Sequence, residues 1–227
     1  MSTLSSPLHP WNLTPPQAIA LQNELRDQLE IRPLQSAPQL IAGADISFDI
    51  GSDTVYAGIV VLSFPGLEVV EECGIQTTAN FPYVPGLLSF REAPAILEVF
   101  EKLQNKPDVL VLDGHGTAHP RGFGIACHVG MWLPIATIGC GKTRLCGQFE
   151  DLGEARGSHA PLIYKKQVVG AALRTKNKIN PVFVSPGNRC DLPGALDLML
   201  RCDGGLKIPE PTRRAHLFVN RLRRGEV

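Results

Sequence analysis

Apolar residues recur along this chain with two different periods, and each change of period marks an element. In "TPPQAIALQNELRDQLEI" (14–31), Ile19, Leu21, Leu25 and Leu29 fall near helical spacing. Thr14 stands at a capping position and the two prolines occupy the first helical positions, so a helix is expected. Strands are expected from "LIAGADISF" (40–48), "VYAGIVVLSF" (55–64) and "LEVVEECGIQTTA" (67–79). The breaks between them, "DIGSD" and "PG", are short, so the three are antiparallel neighbours in a meander. "SFREAPAILEVFEKLQ" (89–104) returns to the helical period, with Ala93, Ile96, Leu97, Phe100 and Leu103 on one stripe.

"DVLVLD" (108–113) is almost wholly apolar, as a central buried strand should be. A helix at 124–133, a buried strand at 134–140, a hairpin at 161–174 broken at Lys165-Lys166, a strand at 181–187 and helices at 192–200 and 211–224 complete the pattern. Neither a repeat nor a long linker interrupts it, which predicts one domain over residues 1–227. The order β-β-β-α-β-α-β plus additions predicts an α/β fold, a mixed sheet flanked by helices. Ribonuclease H-like nucleases use that order, and a fold alone does not dictate function.

Composition excludes several classes. With 44% hydrophobic and 19% charged residues, the chain is of ordinary globular type. It holds no run of about 18 apolar residues that would cross a membrane. The N-terminal "MSTLSSPLHPWNLTPP" lacks the basic-then-apolar layout of a signal peptide. The six cysteines form no C-x-x-C pair and suit reduced thiols, hence a cytoplasmic location. Charge sharpens the picture further. Residues 1–112 hold 5 Lys/Arg and 13 Asp/Glu, a net −8, and residues 113–227 hold 17 and 9, a net +8. The second half is suited to a polyanion, or the two halves attract each other.

Three acids fall in apolar surroundings. Asp45 lies within the first strand, Asp113 ends the fourth, and Glu92 opens the helix between them. A carboxylate there is costly unless it is paired or binds a cation. Converging at one end of a mixed sheet, the three would offer oxygens to Mg²⁺ for phosphodiester hydrolysis by one metal or two. Each acid also has a plainer role. Asp45 could pair with a base, Asp113 could serve the following turn, and "SFRE" reads as a capping box from Ser89 to Glu92.

Glycines crowd "DGHGTAHPRGFGIACH" (113–128) and would let backbone approach a ligand. The His115/His119 spacing would hold zinc on a helix, but Gly114, Gly116 and Pro120 argue against a helix there. His119 reads instead as a proton-transfer or phosphate-contacting group near Asp113. "IGCGKTRLCG" (138–147) contains G-K-T, yet a phosphate loop would need glycine at 136, where Ala136 stands. Lys142, close to an expected sheet edge, could stabilise negative charge on a phosphate. Finally, "NFPYVPGLLSFRE" (80–92) carries Tyr83 between Pro82 and Val84-Pro85, on an arm stiffened by the prolines.

Taken together, "GADISF", "FPYVPGLLSFRE", "VLDGHGTAHPRGFGIACHVG" and "IGCGKTRLCG" resemble the endonuclease V (deoxyinosine 3′-endonuclease) family from about Leu40 to the C-terminal helix. The resemblance implies a ribonuclease H-like monomer that uses Mg²⁺ or Mn²⁺. It implies cleavage of the second phosphodiester bond 3′ to deoxyinosine in DNA, leaving 3′-OH and 5′-phosphate ends, as a step of DNA repair. It assigns metal carboxylates to Asp45, Glu92 and Asp113, and catalytic support to His119 and Lys142. It also assigns a strand-separating wedge to Pro82, Tyr83, Val84 and Pro85, and a lesion pocket to Gly86, Leu88, Gly114 and Ile125. "SPGNRC" departs from the family's S-x-G-H-R: Asn188 stands at the histidine position, where it could alter metal preference or rate. An endoribonuclease acting on inosine in RNA and a non-catalytic lesion-binding protein are the alternative expectations.

Overall fold

The computed structural model describes residues 8–49 and 51–227. Residues 1–7, over which the signal-peptide reading partly falls, and position 50 in the first meander turn lie outside the described residues. Helix α1 (Pro15–Arg26) leads into the meander β1 (Leu40–Phe48), β2 (Thr54–Ser63) and β3 (Val69–Thr78). Then come α2 (Leu88–Lys102), β4 (Val109–Leu112), α3 (Ile125–Trp132) and β5 (Ala136–Gly141). The hairpin β6 (His159–Tyr164) and β7 (Gln167–Leu173), strand β8 (Val182–Pro186), α4 (Leu192–Arg201) and α5 (Glu210–Arg223) complete the chain.

These strands form one eight-stranded sheet in the order β3-β2-β1-β4-β5-β8-β7-β6. β1 pairs antiparallel with β2 and parallel with β4, and β4 pairs parallel with β5. This is the expected ribonuclease H-like mixed sheet. One expectation fails: β5 is interior, because β8 pairs antiparallel along its other side, so Lys142 does not follow an edge strand. Every residue of β8 is buried, and a strand so apolar is placed inside the sheet rather than left beyond it. α1 also stops at Arg26 rather than Ile31. Beyond it the Glu30 N–H donates to Asn188 Oδ1 at 2.8 Å, which ties the chain to β8's end instead of prolonging the helix.

Alternation along the strands divides the core into two layers. Ile41, Val109, Val111 and Ile138 face α4 and α5, while Ala42, Ala44, Leu110 and Leu112 face α2 and α3. α5 lies unusually close to the sheet, over Gly43, Gly58 and Gly74 on three adjacent strands. A Cβ at Gly43 would fall 1.9 Å from Pro211 O, and one at Gly58 2.6 Å from the Phe218 ring. Gly58 pairs with Asp45 on one side and Gly74 on the other, so this smooth track leads α5 directly to Asp45.

Gly43→Ala should therefore lift the start of α5 off the sheet. The expected loss is about 1–3 kcal/mol, or roughly 2–4 °C of Tm per kcal/mol for a chain of this size. Thermal denaturation checks it, and an unchanged Tm would contradict the close approach.

Candidate active site

Parallel pairing of β1 and β4 brings the first two acids together. Ala44 lies opposite Leu112, and the Asp113 N–H donates to Ala44 O at 3.1 Å. Asp45 and Asp113 therefore follow at the same level, toward the C-terminal ends of adjacent parallel strands, where open α/β sheets place their ligands. Their side chains are mostly buried, at 11% and 13% exposed. Lys142, just after β5, sets its Nζ 2.5 Å from Asp113 Oδ2. From α5, His216 Nδ1 approaches Asp45 Oδ2 at 2.8 Å and Lys142 Nζ at 3.4 Å. Asn220, one turn on, donates to His216 O at 2.8 Å.

One ligand atom each from Asp45, Asp113 and His216 lie within 4.8 Å of one another, the only such group among the described residues. Two carboxylates and one imidazole can together ligate a divalent cation. His216 was missed in the sequence because it lies 171 residues from Asp45, off the apolar stripe of a basic helix. Only the glycine track could have hinted at it.

From α2, Glu92 feels the charges of Asp45 and Asp113 but lies outside the group whose ligand atoms fall within 4.8 Å. Its carboxyl is pushed up to about 8, first by burial and then by the negative charges of Asp45 and Asp113. Asp113 is raised for the same reasons, with Lys142 opposing. Burial and mutual repulsion thus both weigh against ionising all three acids together, which fits a cation site. The capping-box alternative fails. α2 begins at Leu88 with Leu87 at the N-cap, so Ser89 is inside the helix and its Oγ hydrogen-bonds His128 Nδ1 at 3.0 Å. Glu92 is left free for the cluster.

Beside the acids opens a cavity of about 500 Å³. Tyr83, Val84 and Pro85 line its rim, and Gly86, Leu88, Gly114 and Ile125 its walls, together with Asp113, His119 and Lys142. The arm is a tight turn: the Leu87 N–H donates to Val84 O at 2.9 Å, with Pro85 before Gly86 at φ +78°. Phe81 and Leu87 anchor it in the core with Phe90. Tyr83 stands outward, 68% exposed.

Other sequence readings change. A Cβ at Gly116 would fall 1.8 Å from Pro186 O, and one at Gly124 2.2 Å from His115 O, so both glycines admit the protein's own backbone, while Gly124 also lines the cavity. His119 has both ring nitrogens engaged, Nε2 with Gly86 O at 3.1 Å and Nδ1 with the Arg121 N–H at 3.2 Å. Its pKa falls to about 4 through burial and the Arg121 charge, so it serves as a neutral donor to the arm. Asn188 is 2% exposed. Its side chain takes the Glu30 N–H at 2.8 Å and donates to Gly130 O at 2.9 Å. That pins α1's extension to the end of α3 and involves none of the clustered acids. The charge asymmetry is partly spent inside the fold, in Arg221–Glu72 and Arg189–Glu30 pairs.

A meander feeding parallel strands, with carboxylates gathered at their ends beside a cavity, defines the class: a nuclease of ribonuclease H-like fold. The endonuclease V family model matches residues 23–217, and the chain belongs to that family. It is 48% identical to endonuclease V of Gloeobacter violaceus over 220 residues, 96% of this chain and 89% of that one. The crystal structure of endonuclease V from Streptomyces avermitilis superposes with a TM-score of 0.90 at 40% identity, covering 96% of each chain. Ciona intestinalis endonuclease V, in complex with a 24mer DNA containing an inosine followed by a ribo-adenosine, gives 0.80 at 26% identity over 93% of this chain and 98% of that one. No helix among the described residues is long and apolar enough to cross a membrane.

The raised Glu92 pKa has a thermodynamic sign. Its stabilising contribution is full below the ordinary value near 4.5 and is lost as pH rises through about 8. Cation binding to the ionised acids would offset that loss. The Tm gained on adding Mn²⁺ should therefore grow between about pH 5 and about pH 8.5. A gain independent of pH would remove Glu92 from the site.

Proposed function

We propose that this chain, acting as one endonuclease V-like domain and as a monomer, nicks DNA beside deoxyinosine in a cytoplasmic repair reaction. The observation that carries the reading is that Asp113, the one clustered acid that lines the cavity, does so together with Lys142 and Tyr83. The cut falls at the second phosphodiester bond 3′ to the lesion and leaves 3′-OH and 5′-phosphate ends. Asp45, Glu92 and Asp113 would hold Mg²⁺ or Mn²⁺, with His216 beside them. Such a cation, when bound, supplies a Lewis acid for the phosphate and lowers the pKa of a coordinated water.

The chain's own groups do the rest. Tyr83, fixed between Pro82 and Val84-Pro85, enters the duplex as the wedge. The deaminated base turns into the cavity bounded by Gly86, Leu88, Gly114 and Ile125, and a mispaired base costs less to turn out than a paired one. Lys142 Nζ, beside Asp113, is placed to stabilise negative charge growing on the phosphate. His119 holds the arm. Free thiols at all six cysteines are consistent with a reducing compartment.

Asp113→Ala should reduce nicking of a single-inosine duplex by about a thousandfold or more, roughly 4 kcal/mol of barrier, while binding is largely kept. Gel mapping of the cut site reads both the rate and the position. Undiminished cleavage would remove Asp113 from the reaction, and tight binding without metal-dependent cleavage in the unaltered protein would make this a lesion binder. Matched inosine RNA run in parallel decides the nucleic acid. Affinity should also fall steeply with salt, because phosphate contacts release counterions. A flat salt dependence would argue against a basic DNA track.

A further inference from the structure

One atom of the arm is gripped from three sides. Gly86 O accepts from Gln22 Nε2 at 3.1 Å, from His119 Nε2 at 3.1 Å and from Arg121 Nη2 at 2.5 Å. The donors are tied to one another as well. Arg121 Nε donates to Gln22 Oε1 at 2.5 Å, and Gln22 Nε2 also donates to Phe123 O at 3.0 Å. Because His119 Nδ1 accepts the Arg121 N–H, its Nε2 must carry the proton. Gln22 is 1% exposed and lies on α1, 64 residues before Gly86. Both amide N–H groups and the amide oxygen of Gln22 are engaged at this junction. A turn at a protein surface can satisfy its carbonyls with water. A buried amide and a guanidinium spent on one such carbonyl fix the peptide's orientation instead. Gly86 itself leaves the room: a Cβ there would fall 2.7 Å from Arg121 Nη2.

We propose that Gln22 and Arg121 are positioning residues for base capture. By clamping Gly86 O they set the plane of the Gly86–Leu87 peptide, and with it the cavity wall and the stance of Tyr83. This rests on the reading that the cavity receives the turned-out base. A purely structural role, holding α1 against the 115–124 loop, would lower stability and the active fraction but leave KM untouched.

Two variants separate these roles. Gln22→Glu keeps the acceptor for Arg121 Nε but turns two donations into lone-pair contacts. Arg121→Lys keeps the charge but loses the fork that reaches both partners. In each, KM for the single-inosine duplex should rise about tenfold with kcat changed less than about twofold. The double variant should be no worse than about the poorer single one, since both act on one carbonyl. Backbone hydrogen exchange over residues 83–88, measured without DNA, should accelerate about tenfold in both. Unchanged exchange, or a loss confined to Tm and active fraction, would overturn the clamp. If the unaltered protein leaves inosine duplex uncut while exchange responds as expected, the clamp stands and the assigned substrate fails.

Discussion

Two carboxylates held side by side are the constraint on which this structure depends. Parallel pairing of β1 with β4 fixes Asp45 and Asp113 at one level. With one oxygen of each within 4.8 Å of the other and an effective dielectric of about 20, repulsion between the two when ionised is worth roughly 3 kcal/mol. The fold answers with Lys142 from the end of β5 and His216 from α5. Bringing α5 near enough requires strands without side chains beneath it, which is what Gly43, Gly58 and Gly74 provide. Even so, burial first and the charges of Asp45 and Asp113 next push the Glu92 carboxyl up to about 8. A site left in that condition is prepared for a cation.

The cavity depends on the same architecture. Residues 82–92 carry the Tyr83 arm, part of the cavity wall and Glu92 within one short span. Because Ser89 is drawn to the buried His128 instead of capping α2, the helix starts at Leu88 and Glu92 faces the acids rather than its own backbone. The arm in turn is referenced to α1 and to the 115–124 loop through the Gly86 carbonyl. The cavity wall and Glu92 are thereby referenced to the same packed elements.

Much of this was legible in the chain. The meander, the buried fourth strand and the helices follow from period and turn chemistry, since these are local consequences of burying one face of each element. The three acids were visible because charge in an apolar strand is costly, and the stiff arm was visible because proline restricts its neighbours. Resemblance then joined them into one site. Less was legible where a residue's meaning depends on what lies opposite. Asn188 reads as an altered functional position but is a buried pin between α1's extension and α3. Gly116 reads as room for a ligand, but that room is filled by the carbonyl of Pro186.

By itself, then, the sequence determined the elements, the mixed sheet and the carboxylates, because each follows from the hydrophobicity and conformational limits of neighbouring residues. Only the tertiary structure decided that His216 stands beside Asp45, that β5 is interior, and that Gln22 holds the arm. Those contacts join residues far apart in the chain, and no local period records them. They are set by strand register and by how closely helices pack on the sheet.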